Sequence, residues 1–276
     1  MSRVWMITGA GRGLGLVIAK AALAAGHKVV ATGRNPEKVA AAVGPSADLL
    51  VTKLDVTDAS DAITAVQAAI ERFGRIDVLI NNAASFYAGF FEELTPDQME
   101  LQLKINLIGP MNVTRSVLPV MREQRAGQII SISSIAGLTG FEFCTAYCAS
   151  KFGLEGWMQA LHPEVEPFNI RTMVVNLGFF RTDILTDASM EFATPLVEDY
   201  HERGEEQRAF WLSMNGQQAG DPTKLAHALV TMSDMEELPH RFIAGEDALA
   251  MAEEAFLTLN QEAEAFRDIS TSMAID

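Results

Sequence analysis

The sequence predicts an α/β protein: a doubly wound parallel sheet with helices on both faces, folded as a single domain over residues 1–276. Three observations carry this. Short continuous apolar runs alternate with helical patterns along most of the chain, as strands covered on both faces require. A glycine-rich stretch at residues 8–15 falls between the first strand pattern and the first helix pattern. Composition is globular, with 49% apolar and 21% charged residues, and the 276 residues suffice for one sizeable core, since a chain of this length buries roughly three quarters of its unfolded surface.

The elements follow in order. Residues 3–8 read as a strand and 13–25 as a helix ended by Gly26. Residues 28–32 are the second strand, 36–43 a helix, 48–53 the third strand and 59–73 a helix ended by Gly74. A fourth strand at 77–81 precedes a long helical stretch, 97–122, broken at Gly109-Pro110. Residues 128–132 form the fifth strand, 146–165 a helix that Pro163 should kink or end beyond His162, and 170–176 the sixth strand. Right-handed crossovers between parallel strands then give the doubly wound order. Beyond Asn176 the rhythm changes. Residues 183–220 mix acids with Met190, Phe192, Phe210, Trp211 and Met214, as a substrate lid would. A helix at 223–232, an apolar run at 241–244 and a helical extension over 246–276, acidic outside, complete the chain.

Charge narrows the function. With 21 basic and 36 acidic residues the formal charge is −15, which argues against nucleic-acid and acidic-membrane partners. No apolar run approaches the ~20 residues needed to span a bilayer, and residues 1–7 are too short for a signal sequence. Cys144 and Cys148 read as free thiols of a reducing compartment, so a cytoplasmic location is expected. No metal site is predicted.

The stretch Thr8-Gly9-Ala10-Gly11-Arg12-Gly13-Leu14-Gly15 stands at the first strand-to-helix junction. Glycines there let backbone approach a pyrophosphate while the helix N-terminus points N–H groups at its charge. An NAD site would place an acid at the end of the second strand. This chain has Gly33-Arg34. Arg34 and Arg12 suit a 2′-phosphate instead, so NADP(H) is expected. Asp55, beside Val56, either accepts from the adenine amino group or caps the next helix. Tyr147 and Lys151 are spaced i and i+4, on one helical face. A phenol of reference pKa about 10 is a poor proton donor near neutrality, and a neighbouring ammonium corrects that. Ser133-Ser134 ends the preceding strand, at the carboxyl edge where such sheets bind ligands.

These motifs, in this order, resemble the short-chain dehydrogenase/reductase family over residues 3–182. They are the glycine turn, Asp55-Val56, Asn81-Asn82-Ala83-Ala84, Asn106, Ser134, Tyr147-x-x-x-Lys151, and Asn176-Leu177-Gly178 followed by Thr182. Ser134 rather than Ser133 has the family's spacing to Tyr147. Leu238-Pro239-His240-Arg241-Phe242, Gly245-Glu246-Asp247-Ala248 and the terminal helix resemble the 17β-hydroxysteroid-dehydrogenase-like branch, without implying a steroid substrate. The resemblance implies a Rossmann-type sheet and an oxidoreductase acting on CH–OH or C=O. Tyr147 would be the acid–base, Ser134 would orient the carbonyl, and Lys151 would hold the nicotinamide ribose and tune Tyr147. Asn106 would hold a relay water. Asn82, Ala83 and Ala84 would line the adenosine side, with Gly178, Phe180 and Thr182 on the nicotinamide side, Thr182 reaching the carboxamide. Pairing through residues 97–122 and 146–165 into a homodimer or homotetramer is implied as well. Two departures stand out: Ala84 replaces the usual glycine, and Leu177 replaces a proline, which should loosen the turn beside it.

Phe86, Phe141, Phe143, Cys144 and Phe179 flank these groups and predict an apolar pocket. The expected activity is NADP(H)-dependent reduction of a medium-sized apolar ketone or aldehyde, or oxidation of a secondary alcohol. The alternative is a dinucleotide-binding sensor or scaffold without turnover.

Overall fold

The computed structural model describes residues 2–186 and 189–275. The predicted lid and terminal extension also include residues 187, 188 and 276, which lie outside the described residues. The strands are β1 (Val4–Ile7), β2 (Lys28–Gly33), β3 (Leu49–Lys53), β4 (Val78–Asn81), β5 (Phe86–Ala88), β6 (Gly127–Ile132), β7 (Ile170–Leu177), β8 (Met190–Phe192) and β9 (Arg241–Ala244). Seven of them form one sheet in the order β3-β2-β1-β4-β6-β7-β9, every neighbouring pair parallel. The chain winds outward from β1 to β3, then returns to β4 on the other side of β1. That reversal opens a crevice at the carboxyl ends of β1 and β4.

The helices are α1 (Gly13–Ala24), α2 (Pro36–Val43), α3 (Ala59–Phe73), α4 (Pro96–Leu103), α5 (Gly109–Gln124), α6 (Thr145–Val165), α7 (His201–Met214), α8 (Pro222–Ser233), α9 (Glu246–Ala265) and α10 (Arg267–Thr271). Strand alternation divides the core into two layers. Trp5, Ile7, Val29 and Ala31 face α1 and α8. Met6, Val30, Leu79 and Ile129 face α3, α5 and α6. Each such side chain contributes about 1.5–3 kcal/mol by leaving water. Local signals set the helix ends. Asn35 and Asp58 accept from backbone N–H groups at the starts of α2 and α3. Thr95 and Gln98 form a capping box at α4, and Gly74 takes the left-handed conformation after α3.

The structure corrects one expectation and adds detail to three others. The long helical stretch does not break at Gly109-Pro110. It widens into a π-turn at Lys104–Ile108 and continues as α5, the widened turn falling just ahead of Pro110, whose ring and missing N–H disrupt a regular α-helical ladder. The helix carrying Tyr147 ends beyond His162 as expected: α6 reaches Val165, two residues past Pro163, and tightens into a 3-10 turn at Glu166–Phe168. The run at 241–244 is a full edge strand, paired to β7. The terminal helix does not pack along its apolar side. Within α9 only Ala248 and Ala252 are buried, while Phe256, Leu257 and Leu259 are exposed.

The excursion after β7 is anchored at both ends. The N–H of Arg181 donates to the carbonyl of Gly220 at 2.8 Å, and that of Gly220 to Phe179 at 2.9 Å. The Arg181 guanidinium adds bonds to the Gln218 carbonyl at 3.1 and 3.2 Å. Within the excursion, β8 pairs in parallel with β5 as a separate two-stranded sheet, a contact that local sequence did not announce.

Candidate active site

The site grows from the end of β1. Gly9 and Gly13 adopt positive φ, +67° and +52°, which L side chains rarely tolerate. A Cβ on Gly15 would lie 2.4 Å from the Gly9 carbonyl oxygen, so the first turn of α1 packs directly against the turn that feeds it. Thr8, buried beneath, accepts from the N–H groups of Asn82 and Ala83 at 2.9 and 3.0 Å. The Asn82 amide donates to the Thr8 carbonyl at 2.9 Å. The ends of β1 and β4 are thereby locked, and the turn stays open towards the crevice.

That crevice is a continuous cleft of about 690 Å³. One end is lined by Gly9, Gly11, Arg12, Gly13 and Leu14, with Arg34, Asp55 and Val56. Ala83, Ala84 and Asn82 form the floor beside them, and Gly178, Phe180 and Thr182 the opposite wall. Lys38 lines the basic end too, a residue that sequence reasoning missed although it follows Arg34 on the first turn of α2. Asp58 and not Asp55 caps α3; the Asp55 carboxylate accepts from Thr57, and Asp55 lines the cleft. The Gly13 N–H donates to the Asp183 carboxylate at 2.9 Å, tying the root of the lid to the glycine turn.

The turn expected to be loose at Leu177 is firm. The Gly178 N–H donates to Ala244 at 3.0 Å, and the Phe179 N–H donates to the Asp247 carboxylate at 2.7 Å. A Cβ on Gly178 would collide with that carboxylate. Asp247, far along the chain, replaces the rigidity a proline would have given.

Ser134, Tyr147 and Lys151 converge at the middle of the cleft. Ser134 follows β6 in extended conformation, and its hydroxyl accepts from the Ala136 N–H at 3.1 Å. Burial pushes the Tyr147 phenol well above its ordinary value, and the neighbouring Ser134 hydroxyl opposes that rise. Lys151 is 3% exposed; its Nζ lies 5.6 Å from the Tyr147 ring centre and donates to the Ile132 carbonyl at 2.9 Å. Burial lowers its pKa to about 8, opposed by the Glu155 carboxylate one turn on. Ser133 also lines the cleft, but its hydroxyl is buried and has no hydrogen-bond partner among the described residues. Asn106 sits on the π-turn behind the cleft. Its amide oxygen accepts from the Ser85 N–H at 2.9 Å, and its amide nitrogen donates to the Ser85 carbonyl and the Ser150 hydroxyl.

Aromatic side chains cover this centre. Phe86 stands 4.7 Å from the Tyr147 ring and 5.2 Å from Trp211 of α7. Phe141, Cys144, Phe179, Leu185 and Trp211 line the same wall. Phe143 does not. It turns under the lid against Phe90 and Phe192, because its positive φ of 68° before α6 swings it away from Tyr147. Burial raises the Cys144 thiol well above its usual value, which leaves it a small apolar wall residue rather than a nucleophile.

A doubly wound sheet with a glycine turn at its switch point, and a serine, tyrosine and lysine gathered at its carboxyl edge, defines a dinucleotide-dependent oxidoreductase class. The family model for short chain dehydrogenases matches residues 3–191. Over 276 residues the chain is 35% identical to Oxidoreductase BOA17 of Botryotinia fuckeliana, covering 99% of this chain and 100% of that protein. It is 38% identical over 198 residues to a 3-ketodihydrosphingosine reductase of Bacteroides thetaiotaomicron, covering 72% and 71%. The solved structure of a short-chain dehydrogenase from Streptomyces avermitilis superposes with a TM-score of 0.90 at 33% identity, each chain fully covered. The chain belongs to the short-chain dehydrogenase/reductase family. It is an oxidoreductase that uses a nicotinamide dinucleotide and acts on a small molecule. Among the described residues no helix is long and apolar enough to cross a membrane.

Proposed function

We propose that this chain is an NADP(H)-dependent carbonyl reductase and alcohol dehydrogenase for a medium-sized apolar ketone, aldehyde or secondary alcohol. The convergence of Ser134, Tyr147 and Lys151 on the one cleft that begins at the glycine turn carries this reading. The cleft fits a dinucleotide. Substituents on Gly9 and Gly15 would meet Ala83 and the Gly9 carbonyl at 3.0 and 2.4 Å, so the turn keeps this tight shape only with glycine there, and Gly9, Gly11 and Gly13 bring backbone to the cleft where a pyrophosphate would lie. Arg34 and Lys38 at the far end favour a 2′-phosphate. When bound, the dinucleotide supplies or accepts the hydride.

The chain's residues do the remaining work. Tyr147, held protonated by its surroundings, gives its proton to the carbonyl oxygen in reduction and takes it back in oxidation. Ser134 orients that oxygen and donates to it as charge develops. Lys151 binds the nicotinamide ribose and stabilises the phenolate once the proton has left. Asn106 supports the proton path from behind. Phe86, Phe141, Phe179 and Trp211 exclude water from the reacting carbon, and the name of the Bacteroides relative supports a ketone of apolar character.

The test is NADPH oxidation with a mixed carbonyl panel, wild type against Tyr147→Phe. The variant should lose at least ~10²-fold in turnover while binding NADPH as before. Equal background rates in both proteins would favour a dinucleotide sensor instead. Turnover of small, highly charged carbonyls alone would refute the apolar substrate. Two buried free thiols support a reducing, cytoplasmic setting. Exposed Ile108 and Phe152 support pairing through the π-turn and α6 into a homodimer or homotetramer.

A further inference from the structure

Glu155 is a buried carboxylate that the proposed reaction does not use. It lies one helical turn beyond Lys151, as Lys151 lies one turn beyond Tyr147, so all three share one face of α6. Glu155 is 6% exposed. Its Oε2 accepts from the Arg241 guanidinium of β9 at 2.8 Å, and its Oε1 accepts from the Asn176 amide of β7 at 2.7 Å. The same Asn176 nitrogen donates to the backbone carbonyl of Ser134 at 3.1 Å. A Cβ on Gly137, in the turn that follows Ser134, would stand 3.0 Å from the Glu155 Cγ. An edge strand, a helix and the serine turn thus meet on one carboxylate.

We propose that Glu155 is a positioning residue for this site: clamped by Arg241 and Asn176, it fixes the backbone that presents Ser134 and supplies the buried anion beside which Lys151 stays charged. The reasoning rests on the function proposed above. A nearly buried ammonium is expensive without an opposite charge, and among the described residues its hydrogen bond is to the Ile132 carbonyl. Of the titratable groups nearby, Tyr147 on the same face of α6, Cys148 within it and Cys144 just before it are neutral at pH 7, and Arg241 from β9, paired with Glu155, is a cation. Asp183 and Glu191 lie on the lid side of the same cleft. Only Glu155 among the acids exerts a resolved pull on the Lys151 proton. Sharing that anion with Arg241 moderates the pull.

Two variants of opposite sign test this. Glu155→Gln keeps the shape and the Asn176 bond but removes the charge. The basic limb of the kcat–pH profile should move about one pH unit lower, and kcat at neutral pH should fall. Arg241→Gln leaves Glu155 to Lys151 alone and should move the limb higher. NADPH binding, followed by nucleotide fluorescence without carbonyl, should shift with pH in the same two directions, because Lys151 holds the ribose only when charged. A merely structural Glu155 would lower melting temperature and rate in both variants by the same factor at every pH, leaving the limb in place; that result overturns the proposal. Wild-type protein that binds NADPH but reduces no carbonyl would refute the enzyme reading instead, and the binding profiles would still decide the role of Glu155.

Discussion

A side chain's chemistry here is set by what surrounds it. Burial lowers the Lys151 pKa to about 8, so its charge is present below that pH and lost above it. Support for the Tyr147 phenolate then fades as pH rises, and turnover in wild type should decline on the basic side of about 8; a steady-state pH profile measures this. Arg34 tests the cofactor. It is exposed at the end of β2, where solvent and salt screen its charge. Arg34→Ala should weaken NADPH binding roughly tenfold, the scale of one charge-assisted hydrogen bond, and leave NADH binding nearly unchanged in fluorescence titrations. Equal losses for both would remove the 2′-phosphate argument. Gly15→Ala places a methyl 2.4 Å from a backbone oxygen. Overpacking of that kind costs about 1–3 kcal/mol, so melting temperature and NADPH affinity should fall together.

Elements differ in how far local sequence reveals them. Six of the seven strands of the large sheet, all but β9, and helices α1 to α3 were readable to within a residue or two, because apolar runs, caps at Asn35 and Asp58, and Gly74 all point the same way. The β5–β8 pair was not. Three-residue strands separated by about a hundred positions carry no periodicity, and only the folded lid brings Phe86 opposite Met190. Asp247 escaped for the same reason, since nothing near Gly178 signals an anchor on a later helix. The lid itself makes a prediction. Trp211 packs on Phe86, which packs on Tyr147, so Trp211→Ala should lower kcat/KM for apolar carbonyls by tenfold or more, about 1.4 kcal/mol. NADPH binding should hold, since α7 is remote from the glycine turn.

At the scale of the whole molecule, the described residues leave apolar side chains exposed in several places, two of which bear on assembly. Ile108 and Phe152 are exposed on the π-turn and α6, and Phe256, Leu257, Leu259, Phe266 and Ile269 on the terminal helices. Clustered apolar surface of this kind marks contact with another protein. Phe152→Glu combined with Ile108→Glu should reduce the apparent mass in light scattering towards that of one chain if pairing uses the first surface. An unchanged mass would move attention to the second.

The sequence by itself determined the doubly wound class, the glycine turn and the Ser134, Tyr147 and Lys151 set. Those depend on short-range rules: residue periodicity, backbone freedom at glycine, and spacing along one helix. Only the tertiary structure decided that Phe143 leaves the pocket while Trp211 joins it, that Asp247 replaces a missing proline, and that Glu155 answers to Arg241. Each of these joins residues distant in the chain, and their encounter is dictated by how layers pack rather than by anything written next to them.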